Sequence, residues 1–124
     1  MNDPKKILII DDEAAVRNLL RDALAAEGFS VAEAKNGAEG LTQALRDRPD
    51  LMMLDIGMPE LDGIAVLKKL RNDPHGKDIP VIILSNFDDT AHVADAIESG
   101  SYSYVVKGDW DMPAMIQLVK SKLS

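Results

Sequence analysis

The stretch DLMMLDIGMPELDG, residues 50–63, joins a buried strand to a carboxylate and then to a turn. Leu51 to Leu54 are all apolar, so both faces of an extended chain would be buried here, which is typical of a central strand in a parallel sheet. Asp55 follows this run directly, and the glycine and proline that come next favour a turn. The stretch therefore predicts a central strand that ends on an acidic side chain.

The same alternation continues along the chain, where short apolar runs precede segments whose apolar residues recur every three or four positions. Each crossover between parallel strands must bury its helix against the sheet, so the pattern predicts a doubly wound α/β domain with five parallel strands and five helices. The predicted strands are KILII at 6–10, FSVAEA at 29–34, DLMMLD at 50–55, VIILS at 81–85 and SYVVK at 103–107. The predicted helices run from the residues after Asp12 to Gly28, over 37–48, over 63–74, from about Thr90 to Glu98, and from Asp111 to Leu123.

Helical spacing also predicts which side chains face the sheet. On the first helix the inward residues are Val16, Leu19, Leu20 and Ala23. On the second helix they are Ala38, Leu41, Ala44 and Leu45, and on the third Ile64, Leu67 and Leu70.

Composition limits the classes of partner. The 124 residues carry a formal net charge of −7 and no cysteine. The negative charge disfavours binding to nucleic acid or to an anionic membrane surface and favours binding of cations, and the lack of cysteine excludes disulfide and thiolate chemistry. The apolar run Ile7–Ile10 is too short for a signal peptide or a membrane span. We therefore expect a cytoplasmic domain that does not contact membranes or nucleic acid directly.

In sheets of this class, function collects beyond the carboxyl ends of the strands. The first predicted strand ends on Asp11 and Asp12, the third on Asp55, the fourth on Ser85, and the fifth on Lys107. Three carboxylates at one edge repel each other, and a hard divalent cation such as Mg²⁺ would neutralise them.

A hydroxyl and a lysine at the same edge suit a phosphoryl group, because the hydroxyl donates a hydrogen bond and the ammonium offsets charge on oxygen. A carboxylate is a competent nucleophile towards phosphorus and would form an acyl phosphate. The pattern thus predicts Asp55 as the nucleophile in a phosphoryl transfer. Gly57 would let the backbone pass close to the cation.

Four motifs together give the chain a resemblance to the response-regulator receiver domains of bacterial two-component signalling, including the chemotaxis regulators. They are the acidic pair in ILIIDDE, the acceptor in LDIGMPELDG, the hydroxyl in VIILSN and the lysine in YVVKG. The resemblance covers essentially the whole chain. It implies a flavodoxin-like sheet with strand order 2-1-3-4-5 and a single receiver domain over residues 1–124. No DNA-binding helix-turn-helix or catalytic segment follows Leu123, so we expect no output domain in this chain, which is either a stand-alone receiver or one excised from a longer protein.

The resemblance also implies a role for each motif residue. Asp12 and Asp55 would bind Mg²⁺ directly, Gly57 would contribute its carbonyl, and Asp11 would act through water. Asp55 would be the phosphoacceptor, supplied by a sensor histidine kinase or phosphotransfer protein, and the domain would catalyse its own phosphorylation and dephosphorylation. Ser85 would follow the phosphoryl group on activation and Lys107 would contact it, while Tyr104 matches the aromatic switch position that signals to a downstream protein.

Two positions depart from the family pattern. Gly108 follows the lysine where receivers usually carry proline, which predicts a trans bond between Lys107 and Gly108 and altered loop geometry. Asn86 follows the hydroxyl where alanine or glycine is usual, and its larger side chain would partly shield the acceptor.

Three other interpretations are open from the sequence. A degenerate receiver would bind a partner without phosphorylation, although all five reactive positions are present. A hydrolytic phosphatase of the haloacid dehalogenase type would carry its acceptor in an Asp-x-Asp pattern after the first strand, which IIDDEAA lacks. A flavodoxin would need a phosphate-binding loop where this chain has two aspartates.

Overall fold

The computed structural model describes residues 4–56, 63–85, 103–106 and 111–123. Four helices and five strands lie in these ranges, and the helix expected from about Thr90 to Glu98 lies outside them. In chain order the elements are β1 (Lys6–Ile10), α1 (Ala14–Ala26), β2 (Ser30–Ala34), α2 (Gly37–Asp47), β3 (Leu51–Asp55), α3 (Gly63–Arg71), β4 (Val81–Ser85), β5 (Ser103–Val106) and α4 (Met112–Leu123). Among the described helices, none is both long and apolar enough to cross a membrane.

All five strands are parallel and lie in the order β2-β1-β3-β4-β5, so the doubly wound α/β fold and its flavodoxin-like strand order are confirmed. β1 pairs with β2 on one side and with β3 on the other, which makes the gap between β1 and β3 the point where the chain reverses its direction across the sheet. Ile10 lies opposite Leu54 in this pairing. The residues that follow these two strands therefore meet at one edge.

The core has two layers, one on each face of the sheet, because alternate residues of every strand point to opposite faces. Leu8 and Ile10 of β1 pack into a cluster with residues of α2 and α3. Ile7 and Ile9 pack into a second cluster with residues of α1 and α4. β3 is buried along its whole length, as its unbroken apolar run predicted.

The helix ends follow local chemistry. The Asn36 side chain accepts a hydrogen bond of 2.8 Å from the Glu39 amide and so caps the start of α2. Asp111 accepts from the Ala114 amide at 3.2 Å, which is the cap expected for the last helix. α1 ends before Gly28, whose φ of 92° suits glycine.

Among the predicted core residues whose side chains the structure describes, which leaves out Ile64, two are exposed. Leu19 is 48% exposed because the inward face of α1 is centred on Leu20 and Leu24, and Leu19 lies to one side of that face. Ala38 is also exposed, since Gly37, Gly40 and Ala44 form the buried face of α2. A Cβ added at Gly40 would lie 2.5 Å from Cδ1 of Ile10, so this helix packs closer to the sheet than any side chain would permit.

Candidate functional site

Three carboxylates meet where β1 and β3 end. Asp11 is fully buried and Asp55 is 2% exposed, while Asp12 is exposed to solvent. One oxygen atom from each carboxylate lies within 4.8 Å of the others. The structure thus brings together the three acidic residues that the sequence placed at separate strand ends.

Backbone and side-chain hydrogen bonds hold Asp11 in place. Its amide donates to the carbonyl of Ala34 on β2 at 3.1 Å, which extends the β1–β2 pairing by one residue. Its Oδ1 accepts from the amide of Glu13 at 2.8 Å, and its carbonyl accepts from Nη1 of Arg17 at 2.6 Å. The turn that carries the acidic pair is therefore fixed from β2 and from α1.

Asp55 is the last residue of β3 and is held by the sheet on one side and by α3 on the other. It lies opposite Leu84 of β4, whose carbonyl accepts from the Ile56 amide at 3.2 Å. A Cβ added at Gly63 would lie 2.5 Å from Cα of Ile56, so the start of α3 touches the backbone directly beyond the aspartate. The hydrophobicity pattern did not indicate this close backbone approach at Gly63.

The donor set of the cluster suits a hard divalent cation. All three candidate ligand atoms are carboxylate oxygens, the type that Mg²⁺ and Ca²⁺ prefer over nitrogen or sulfur. Buried carboxylates so close together repel strongly in a protein interior, and a bound cation reverses the sign of that interaction. The residues present therefore fit Mg²⁺.

The other predicted site residues are described in part or lie outside the described ranges. Ser85 ends β4 one residue beyond the partner of Asp55, and its backbone pairs with Val106 of β5. Tyr104 pairs through its backbone with Ile83. Gly57, Asn86, Lys107 and Gly108 lie outside the described residues, and so does the Lys107–Gly108 bond.

Known proteins show which family this architecture belongs to. The model of the response regulator receiver domain matches residues 7–120. The chain belongs to this family. The resemblance drawn from the four motifs is confirmed, and the receiver domain is a signalling module of two-component systems.

Individual relatives agree with that family. Response regulator MprA of Mycobacterium leprae is 39% identical over 102 residues, which cover 82% of this chain and 44% of that protein. A putative response regulator from Chloroflexus aurantiacus has a TM-score of 0.89 at 29% identity, with 97% of this chain and 98% of that chain covered. The chemotaxis protein CheY4 of Vibrio cholerae shares the fold, with a TM-score of 0.86 at 23% identity over 97% of this chain and 99% of that one. The receiver domain spans less than half the length of the curated relatives that it matches.

Sequence reasoning missed two residues beside the acidic cluster of this receiver domain, Arg17 and Glu33. Arg17 contacts a backbone carbonyl and Glu33 lies on a neighbouring strand, so neither role is visible without the strand order. One feature of the sequence could have indicated that Arg17 has a local partner. Arg17 is the fourth residue of α1, and a positive charge near a helix N-terminus is unfavourable unless a nearby group compensates it.

Proposed function

We propose that this receiver domain, formed by residues 1–124, is a cytoplasmic phosphoacceptor switch that takes a phosphoryl group on Asp55 with the help of Mg²⁺. The observation that carries the proposal is the burial of Asp55 at the end of β3, with carboxylate oxygens of Asp11 and Asp12 within 4.8 Å of one of its own. A lone surface aspartate would have no reason to share a site with two others, whereas a phosphoacceptor requires a cation beside it.

Asp12, Asp55 and the carbonyl of Gly57 would hold the cation, and Asp11 would reach it through water. Asp11 is suited to contact through water because its Oδ1 already accepts a hydrogen bond from the Glu13 amide, which holds the carboxylate in place. When bound, Mg²⁺ offsets negative charge on the oxygens of the phosphoryl group.

The transfer itself belongs to Asp55. One carboxylate oxygen attacks phosphorus while the bond from phosphorus to the donor breaks, and the donor leaves with the bonding electrons. For a phosphohistidine donor the leaving atom is an imidazole nitrogen, and the product is an acyl phosphate on Asp55. Water later attacks phosphorus, the bond from phosphorus to Asp55 oxygen breaks, and inorganic phosphate is released.

Lys107 and Ser85 complete the proposed machinery. Lys107 would contact the phosphoryl oxygens, and Ser85 would move towards them once Asp55 is modified. Ser85 lies on β4 beside β3, which suits that role. Tyr104 would then shift inward and alter the surface offered to a downstream protein, so that phosphorylation changes the population of two conformations. The proposed donors are a sensor histidine kinase or a phosphotransfer protein.

Phosphorylation by a small donor tests the acceptor. With Mg²⁺ and acetyl phosphate, we expect intact-mass spectrometry to show one added phosphoryl group that hydroxylamine removes. Asp55→Asn should abolish the addition. Asp22→Asn is the matched control, because Asp22 is an exposed aspartate on α1 that contacts Arg21 away from the cluster.

Two results would count against the proposal. Undiminished labelling of Asp55→Asn would place the acceptor elsewhere. A wild-type protein that stays unmodified with both acetyl phosphate and a phosphorylated kinase, while Mg²⁺ is present, would favour the degenerate receiver that binds its partner without phosphorylation.

A further inference from the structure

Arg17 connects the acidic turn to the edge strand of the sheet. Its side chain is 17% exposed and runs from α1 back towards the end of β1. Nη1 donates to the carbonyl of Asp11 at 2.6 Å, and Nε lies 3.4 Å from Oε1 of Glu33 on β2. One guanidinium therefore contacts the turn that carries two of the three carboxylates and, at the same time, a strand that carries none of them.

Glu33 is itself held in place. Its other carboxylate oxygen lies 3.3 Å from Nη1 of Arg21, one helical turn further along α1, and its backbone carbonyl accepts from the Gln43 side chain of α2 at 3.1 Å. The next residue, Ala34, accepts the hydrogen bond from the Asp11 amide. Glu33 thus belongs to a packed junction of β2, α1 and α2.

These contacts fix the peptide units on both sides of Asp11. The amide before its Cα is bound to β2, and the carbonyl after it is bound to Arg17. That carbonyl belongs to the peptide unit that leads into Asp12, so its orientation sets where the Asp12 side chain begins. A charge-assisted hydrogen bond at this point restricts the acidic turn more than a neutral one would.

We infer that Arg17 is a positioning residue of the cation site, which holds the Asp11–Asp12 turn in the geometry that binds Mg²⁺ while Glu33 holds the guanidinium. This inference rests on the proposed function, because it concerns the same cation site. Arg17 is not itself a ligand of the cation or of the phosphoryl group. It acts through the carbonyl of Asp11.

The positive charge of Arg17 and its positioning role predict opposite changes in Mg²⁺ affinity when the residue is replaced. A guanidinium bound to the turn that carries Asp11 and Asp12 repels an incoming cation, so removing its charge should tighten Mg²⁺ binding if charge is all that matters. Removing a group that orders the ligands should weaken binding instead. Partners that orient metal ligands typically change affinity by about 10- to 100-fold, which outweighs the effect of one screened charge.

Arg21 provides the matched control. It lies on the same helix, carries the same charge and contacts the same glutamate, yet its second contact is to Asp22 rather than to the acidic turn. Arg21→Met therefore removes one charge and one contact to Glu33 without touching the carbonyl of Asp11.

Isothermal titration calorimetry with MgCl₂ tests the inference on the full chain, at a temperature where thermal melting shows every variant to be folded. We expect Arg17→Met to weaken Mg²⁺ binding by about tenfold. Arg21→Met should leave it unchanged or tighten it by less than about threefold. Arg17→Lys should restore little, because an ammonium cannot contact the carbonyl and Glu33 with the same planar fork.

Kinetics and amide exchange separate positioning from simple destabilisation. With acetyl phosphate, the Mg²⁺ concentration that gives half the maximal rate should rise about tenfold in Arg17→Met, while the rate at saturating Mg²⁺ stays near the wild-type value. In the metal-free protein, hydrogen exchange at the Glu13 amide, which is bonded to Asp11, should accelerate.

Each outcome decides the question. Wild-type protein that binds Mg²⁺ while Arg17→Met binds it equally or more tightly would overturn this inference and leave the proposed function intact. A lower maximal rate with unchanged Mg²⁺ dependence would also overturn it. Wild-type protein that neither binds Mg²⁺ nor becomes phosphorylated would overturn both.

Discussion

The acidic cluster should lower the stability of the metal-free protein, and Asp12→Asn should reveal by how much. Asp12 is the exposed member of the cluster, so asparagine can replace it without leaving a buried polar group unsatisfied. The substitution keeps the size of the side chain and removes its charge. It therefore deletes two repulsive pairs, one with Asp11 and one with Asp55.

The structure sets the size of the effect. Two unit charges separated by 4.8 Å, the largest spacing in the cluster, repel by about 0.9 kcal/mol in water and about 3.5 kcal/mol at an effective dielectric constant of about 20. Asp12 faces solvent, so the lower value applies, and two pairs give about 2 kcal/mol at low salt. Screening at physiological salt removes roughly half of that.

A second effect acts in the opposite direction. Asp12 lies two residues before Ala14, where a negative charge interacts favourably with the start of α1. Losing that interaction costs about 0.3–1 kcal/mol. The repulsion between carboxylates outweighs this loss at low salt, so we expect Asp12→Asn to raise the metal-free stability by about 1 kcal/mol, or roughly 4 °C in Tm for a chain of this length.

Urea unfolding in EDTA measures the stability of the metal-free protein, and urea unfolding in Mg²⁺ measures how much the cation adds to it. We expect Mg²⁺ at about 100 times its Kd to stabilise the wild type by about 2.7 kcal/mol, because a cation held only by the folded acidic cluster adds its binding free energy to the stability of the fold. Asp12→Asn should respond far less, so the order of stability reverses when Mg²⁺ is added. Asp22→Asn, which leaves the cluster intact, should keep the wild-type response. An Asp12→Asn variant that is less stable than wild type in EDTA at low salt, or that keeps the full Mg²⁺ response, would refute the reasoning.

Two further predictions concern packing and surface charge. Gly40→Ala would place Cβ 2.5 Å from Cδ1 of the fully buried Ile10, and overpacking of about 1–3 kcal/mol should exceed the gain of about 1 kcal/mol in helix propensity. Chemical denaturation should therefore show a net loss, which Ile10→Val relieves in part in the double variant; additive losses would contradict the close contact. A hydrogen bond from Arg46 holds the pKa of the exposed Asp47 below 3.8. The small stabilising effect of this hydrogen bond is present above pH 3.8 and is lost as the pH falls through the lower pKa of Asp47 in the folded protein. In Arg46→Gln, NMR titration should show that the pKa of Asp47 has risen to its ordinary value.

The strands were predictable because they are buried on both faces, and unbroken apolar runs leave few alternatives. β1 and β4 match their predicted bounds, and β2 and β3 each begin one residue later than predicted. The strand order has a different origin. Apolar runs carry no information about which strand pairs with which, so the order came from the resemblance and the structure confirmed it.

The helix faces were harder to predict where small residues form the contact. Hydrophobicity patterns count apolar side chains, so they placed Ala38 inside and overlooked Gly40, which has no side chain. Close packing at α2 needs the absence of a side chain, a property that a scale of side-chain hydrophobicity does not record. The same limit applies to Gly63, which lets α3 approach the backbone beyond Asp55.

Some residues of the candidate site could be predicted from the sequence and others could not. Its carboxylates could be predicted because parallel strands bring their carboxyl ends to one edge, whatever the details of packing. Arg17 could not, because its role depends on a backbone carbonyl and on the pairing of β1 with β2. Asp11 and Asp55 are buried at the ends of paired strands, so they cannot swing apart to relieve their repulsion, whereas Asp12 can turn towards solvent. The proposed cation site would therefore depend on what restrains Asp12, the exposed member of the cluster. This is why the hydrogen bond from Arg17 to the peptide unit before Asp12 should matter more for Mg²⁺ binding than the positive charge that Arg17 brings.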